Sequence, residues 1–260
     1  MTTRKPWALI TGASVGIGKE FAVQLAEQGY NLVLVSRTEE TLEQVAKELR
    51  KHYSCKVEVL PADLTRATDR KRVAERIQAE KLPIDFLVNN AGIGLNKKFT
   101  SNDVKQEKYL LDLLVVAVLE LSHAAATAMK ARGSGNIIVI SSVAGFIPGG
   151  TYSAAKAWTT AFAEGLNAEL STSGVRVMAL CPGFTHTEFH QRAGITKSSI
   201  PDFLWLNVND LVRTAFNDLA RGEVVSVPNW KYKALVIFVK LLPRDLARII
   251  WAKSRHKLQR

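Results

Sequence analysis

The 260-residue sequence predicts an α/β fold, one doubly wound, seven-stranded parallel sheet with helices on both faces, built as a single domain. Three observations predict it. Seven short aliphatic runs recur along the chain, each too short to be an independent helix. Longer segments with apolar residues at helical spacing separate them, as crossover helices would. Chemistry-bearing motifs stand directly after these runs, and doubly wound sheets take their ligands beyond the carboxyl ends of their strands. Hydrophobic residues make up 47% of the chain and charged residues 23%, enough to bury a full core without metal or disulfide.

The first run, Trp7 to Ile10, leads into Thr11-Gly12-Ala13-Ser14-Val15-Gly16-Ile17-Gly18 and a helical pattern over 17–28. Glycines so placed permit a tight turn, close approach of backbone to a pyrophosphate and close helix packing, while a helix N-terminus favours negative charge. Gly12, Ser14, Gly16, Ile17 and Gly18 are therefore expected to hold a dinucleotide, in a Rossmann-type arrangement. The second run, Asn31 to Val35, ends in Ser36-Arg37-Thr38 before a helical pattern over 39–52. An NAD site would offer Asp or Glu to the ribose hydroxyls here. Ser36 takes that position instead, and the Arg37 guanidinium suits a 2′-phosphate and the edge of an adenine. NADP (NADPH) is thus the expected cofactor, against the plainer reading of Arg37 as a solvated loop charge.

The third run, Val57 to Leu60, precedes Ala62-Asp63-Leu64 and a helical pattern over 67–79. The fourth, Ile84 to Val88, precedes Asn89-Asn90-Ala91-Gly92, where the small residues let backbone approach a ribose and asparagine amides tie strand ends together; a long helical pattern over 104–131 follows. After the fifth run, Asn136 to Ile140, come Ser141 and Ser142, and Tyr152 opens a helical pattern over 152–170 with Lys156 one turn on. An ammonium at that interval favours phenolate and lowers the tyrosine pKa towards the operating pH. Ser142 can donate to a carbonyl oxygen and stabilise developing negative charge. The sixth run, Val175 to Leu180, leads into Cys181-Pro182-Gly183-Phe184-Thr185-His186-Thr187; a helical pattern over 208–221 and the seventh run, Val224 to Val227, complete the sheet. His186 and His190 read as surface or packing residues and are assigned no chemistry.

The glycine turn, Ser142 and the Tyr152-x-x-x-Lys156 pair together resemble a classical short-chain dehydrogenase/reductase, over roughly residues 5 to 228. The resemblance implies that Ser142, Tyr152 and Lys156 are the catalytic residues, with Tyr152 and Lys156 also touching the cofactor. It implies adenine contacts from Asp63 and Leu64, ribose contacts from Asn90, Ala91 and Gly92, and nicotinamide-side contacts from Pro182, Gly183 and Thr187. It further implies a homodimer or homotetramer through the helices over 104–131 and 152–170. Two features depart from the family pattern. Leu114 aligns with the usual catalytic Asn, leaving only its backbone carbonyl to hold a relay water. The interval from Ser142 to Tyr152 is shorter than usual, implying a trimmed loop around Pro148-Gly149-Gly150.

The net charge of +11 is concentrated at the end of the chain, where Trp230 to Arg260 carries nine Lys or Arg against the single acid Asp245. The basicity therefore belongs to the tail, and no nucleic-acid partner is expected. Residues 1–230 read as the cofactor-binding and catalytic domain, and 231–260 as a basic amphipathic helical tail. The apolar run from Tyr232 is too short to span a bilayer. With Leu246, Ile249, Ile250 and Trp251 among the cations, it suits peripheral contact with anionic lipid, or packing over the cleft or a neighbouring subunit. Cys55 and Cys181 show no metal-like or Cys-x-x-Cys spacing, and the N-terminus has no signal-peptide core, so a reduced cytoplasmic protein without a metal site is expected.

The expected activity is NADP(H)-dependent interconversion of a ketone or aldehyde with an alcohol, on a small lipophilic carbonyl/alcohol substrate. Tyr152 would exchange the oxygen's proton, Ser142 orient that oxygen, and Lys156 hold the ribose. Leu114 and the basic tail motivate the alternative, a catalytically weakened NADP-binding scaffold or membrane-associated sensor.

Overall fold

Aliphatic strands with no polar face must be covered on both sides, and this is how the chain folds. The computed structural model describes residues 4–95, 99–189 and 201–241. Strands β1 (Trp7–Thr11), β2 (Asn31–Ser36), β3 (Val57–Pro61), β4 (Ile84–Asn89), β5 (Gly135–Ile140), β6 (Val175–Leu180) and β7 (Val225–Ser226) form one sheet in the order β3-β2-β1-β4-β5-β6-β7. Every pairing is parallel. The order in which strands are added reverses between β1 and β4, which opens a crevice beyond their carboxyl ends.

Helices α1 (Gly16–Glu27), α2 (Glu39–His52) and α7 (Val208–Ala220) make one layer, with α1 packed on both of the others. Phe21 of α1, Phe216 of α7 and Phe86 of β4 lock that layer to the sheet, edge to face, with centroids 5.4 and 5.9 Å apart. Helices α3 (Ala67–Gln78), α5 (Ala117–Arg132) and α6 (Gly150–Glu169) occupy the other side, where α3 packs on α5 and α6 lies along β6. Local signals set the ends. Glu39 and Glu40 open α2 while Arg50, Lys51 and His52 close it, each sign matched to the helix dipole. Gly133, left-handed at φ 70°, terminates α5. The side chain of Asn207 caps α7.

The predicted strands and helices stand within a few residues of their expected places, with three differences. The last strand shortens to two residues, because only Val225 and Ser226 find partners on β6. Helix α6 starts at Gly150, so Tyr152 sits inside its first turn. The long helix expected over 104–131 is divided: α4 (Val104–Leu111), a π-helical turn (Asp112–Val116), then α5. One inserted residue rotates the apolar stripe by about 100°. That lets α4 face α6 while α5 faces α3 and the sheet. By length and composition Val104–Arg132 could cross a membrane, but half of its most apolar window is buried, and it is a core helix here.

A further helix, α8 (Trp230–Leu241), begins directly after the sheet. His190 and the tail positions Leu246, Ile249, Ile250 and Trp251 lie outside the described residues.

Candidate active site

The cleft beyond β1, β4, β5 and β6 has a volume of about 490 Å3. All of the site residues expected from the sequence line it except Gly18, which lies beneath the glycine turn. The turn can exist only with glycine at its key positions. Gly12 is left-handed at φ 65°, and a Cβ on Gly18 would overlap the Gly12 carbonyl and the Asn90 amide. Helix α1 is thereby drawn close under the strands, with its N-terminal amides directed at the cleft.

The turn is tied to the end of β4 by side chains. Thr11 Oγ1 accepts from the backbone amides of Asn90 (2.9 Å) and Ala91 (3.0 Å), while Asn90 Nδ2 donates back to the carbonyls of Thr11 (2.9 Å) and Gly12 (3.1 Å). Asn89 Nδ2 donates to Ser122 Oγ on α5 at 2.9 Å. Asn90 ties strand ends together as expected, while Asn89 reaches a helix instead; Thr11, the centre of the knot, was not singled out by the sequence. Asp63 Oδ1 is engaged by the amide and hydroxyl of its neighbour Thr65. Thr187 packs its side chain against Gly16, closing the cleft over the turn.

At the end of β2, Ser36 Oγ is buried without a hydrogen-bond partner, one of two such atoms among the described residues. A buried hydroxyl left unpaired costs about 1–3 kcal/mol, so it marks a place built for a polar ligand atom. Arg37 beside it is exposed, and its Nη1 donates to the phenol oxygen of Tyr109 on α4 at 2.9 Å. Tyr109 is a candidate site residue that the sequence alone did not reveal, since nothing near it marks a half-buried helix tyrosine as an arginine's partner. The glycine cradle, the orphaned hydroxyl and the free side of a guanidinium fit a nicotinamide dinucleotide, and no His/Cys/Asp/Glu cluster able to hold a metal occurs among the described residues.

Across the cleft, Ser142 follows β5 and Tyr152 and Lys156 stand on the first turns of α6. Ser142 Oγ accepts from the Ala144 amide at 3.1 Å and donates to the Pro182 carbonyl at 3.5 Å. Burial pushes the Tyr152 phenol up to about 12, with the Ser142 side chain acting in the opposite direction. Burial also pulls Lys156 down to about 8, opposed by Cys181. The expected dominant push of the ammonium on the phenol is therefore corrected. Lys156 Nζ lies 5.9 Å from the Tyr152 ring centroid and donates to the Ile140 carbonyl at 2.6 Å, so desolvation outweighs its field at the phenol.

Leu114 belongs to a small apolar cluster with Leu110 and Ala155, against which Ile93, Leu95 and Tyr152 pack. The π turn brings it there. The Phe189 ring, 6.2 Å from that of Tyr152, covers the other side. His186 stacks on Trp205 at 5.0 Å and its backbone amide pairs with Leu206, consistent with a packing role. The short interval before Tyr152 is taken up by a 3-10 turn, Val143–Phe146, started by the Ser142 side chain.

Fold and cleft define a dinucleotide-binding oxidoreductase architecture with a Ser, Tyr and Lys facing a glycine turn. The chain belongs to the short-chain dehydrogenase/reductase family: the family described as short chain dehydrogenase matches residues 6–197. It is similar to a short-chain dehydrogenase from Sphingobium yanoikuyae solved in complex with NADPH, at 37% identity and a TM-score of 0.83, over 88% of this chain and 91% of that one. The bulky-bulky ketone specific alcohol dehydrogenase from Comamonas testosteroni matches at 31% identity and a TM-score of 0.79, over 98% and 94% of the two chains. A very-long-chain 3-oxoacyl-CoA reductase of Anas platyrhynchos is 34% identical over 206 residues, which is 76% of this chain and 63% of that reductase. These relatives place the protein among NAD(P)-using oxidoreductases of alcohols and ketones.

Proposed function

We propose that the protein is an NADP(H)-dependent reductase or dehydrogenase that interconverts a lipophilic ketone or aldehyde with its alcohol. The observation that carries this reading is the convergence of Ser142, Tyr152 and Lys156 on the glycine turn within one cleft. NADP(H), when bound, supplies or accepts the hydride. Ser36 and Arg37 would hold its 2′-phosphate, since no carboxylate stands at the end of β2 to repel that charge. The Tyr152 hydroxyl exchanges a proton with the substrate oxygen, and its upward pKa keeps it protonated, ready to donate in the reducing direction. Ser142 donates to the same oxygen as charge develops. Lys156, held on the Ile140 carbonyl, fixes the inner wall and offers its remaining protons to a ribose.

Support for a lipophilic substrate comes from Ile93, Leu95, Leu113 and Phe189, which line the cleft around Tyr152. The names of the relatives point the same way, to a bulky ketone and a very-long-chain acyl group. The test is NADPH oxidation by the purified protein over a panel of ketones and aldehydes of increasing size, repeated with NADH. Turnover that favours NADPH and the larger apolar carbonyls supports the reading. Tight NADPH binding without turnover on any carbonyl would instead favour a scaffold or sensor, the reading to which Leu114 lends itself.

A further inference from the structure

Helix α8 is fastened to the cleft on one side and left bare on the other. Tyr232 fills the space a side chain would need at Gly183, its hydroxyl accepts from the Phe184 amide at 3.0 Å, and it donates to the Leu204 carbonyl at 2.7 Å. Val236 is buried beneath the same turn of helix, and Lys240 sits 5.1 Å from the Phe146 ring centroid, in the turn after Ser142. The helix is thus packed against the segments that follow β5 and β6 beside the cleft.

Its outer surface is apolar and cationic at once. Trp230, Ile237, Phe238 and Leu241 are 72%, 58%, 59% and 79% exposed, with Phe203 beside them at 63%. Lys231 lies between the rings of Phe203 (4.8 Å) and Trp230 (6.0 Å), and Lys233 and Lys240 are exposed on the same helix, which carries no acid. Exposed side chains of this size are ordinary singly, but a contiguous set with one sign of charge marks an interaction surface.

The charges decide the occupant. A second copy of this chain, packed face to face on a two-fold axis, would set one cationic helix face against another. The chain beyond Leu241 carries six more Lys or Arg and the single acid Asp245, so as a cover it too would meet like charge. A bilayer with anionic headgroups satisfies both features, because its surface attracts the lysines and its acyl boundary takes the aromatic and aliphatic side chains. We propose that the outer face of α8 docks on an anionic lipid surface. The docking stands on the helix alone and does not depend on the cofactor or reaction assigned above.

The experiment is co-sedimentation of the full chain with vesicles of equal parts phosphatidylglycerol and phosphatidylcholine, against phosphatidylcholine alone, at low and high salt. The protein should pellet with the anionic vesicles and be released by salt. Ile237→Ser with Phe238→Ser should lower the partition coefficient by about tenfold or more, and Lys233→Gln by about fivefold. Thermal melting should be unchanged, because these side chains are exposed. Failure to pellet at low salt overturns the proposal, as does unchanged pelleting of the Ile237→Ser/Phe238→Ser variant. A wild-type dimer that this variant converts to monomer would place a second copy on the face instead, and also overturns it.

Discussion

The two walls of the cleft are built on different physics. On the cofactor wall, positions are set by the backbone: left-handed glycine at Gly12, Gly18 pressed against the Gly12 carbonyl, and the Thr11–Asn90 hydrogen bonds joining β1 to β4. On the opposite wall stand ionisable side chains whose protonation is set by burial, with Tyr152 pushed up and Lys156 pulled down. A wall made of backbone is preorganised whatever ligand arrives. A wall made of desolvated ionisable groups is tuned, and responds to pH and to single substitutions.

The sharpest way to separate the walls is Tyr152→Phe. Removing the proposed proton-transfer group should lower kcat/KM for carbonyl reduction by about 10²–10⁴-fold, while NADPH affinity, measured by titration calorimetry, falls by less than about tenfold. Equal losses in both would mean that the walls are not independent.

Arg37→Ala acts on the other wall and should weaken NADPH by about 10–100-fold, the range of a lost charge-assisted hydrogen bond. NADH binding should hardly change; equal effects on both cofactors would defeat the phosphate assignment. Tyr109→Phe removes only the partner that holds the guanidinium, so it should raise the KM for NADPH about two- to fivefold, leaving the KM for NADH and kcat in place. A loss shared by both cofactors would mark Tyr109 as merely structural.

The tuned wall should also be visible in stability against pH. The Lys156 pKa is lowered from 10.5 to about 8 on folding, so between those values the unfolded chain binds more protons and this group makes stability rise with pH. Tyr152 has the opposite sign, but its contribution is complete below its unfolded value of 10.0 and is lost only as pH rises through about 12. From pH 8 to 10 the Lys156 effect is therefore unopposed by Tyr152. Its slope is at most about 1.4 kcal/mol per pH unit. Urea unfolding of Lys156→Met over that window should lack this component. A variant with the same slope as the wild type would show that the lysine is not desolvated.

Much of this was legible in the residues themselves. The strands announced themselves as aliphatic runs such as Asn31 to Val35 because burial on both faces leaves no room for polar side chains. The glycine turn was readable because Gly12 and Gly18 meet a backbone requirement that no other residue satisfies. Ser142, Tyr152 and Lys156 were readable because their spacing places them at a strand end and on one helix face.

What the residues could not declare are contacts between positions far apart in the chain. Arg37 finds Tyr109 across the cleft, and Tyr232 packs on Gly183, each pair carrying no local pattern. The π turn at Asp112–Val116 lies in a run whose periodicity suits an unbroken helix, and only the competing demands of α6, α3 and the sheet divide it. The tyrosine pKa followed the same rule. Spacing placed an ammonium one turn away, but burial and the hold of the Ile140 carbonyl on Lys156 are tertiary properties. Sequence by itself determined the fold, through local backbone preference and hydrophobic period, and through its motifs the family and most of the expected cleft residues. Only the tertiary structure decided how those residues are held, charged and covered, because desolvation and long-range packing exist only once distant segments have met.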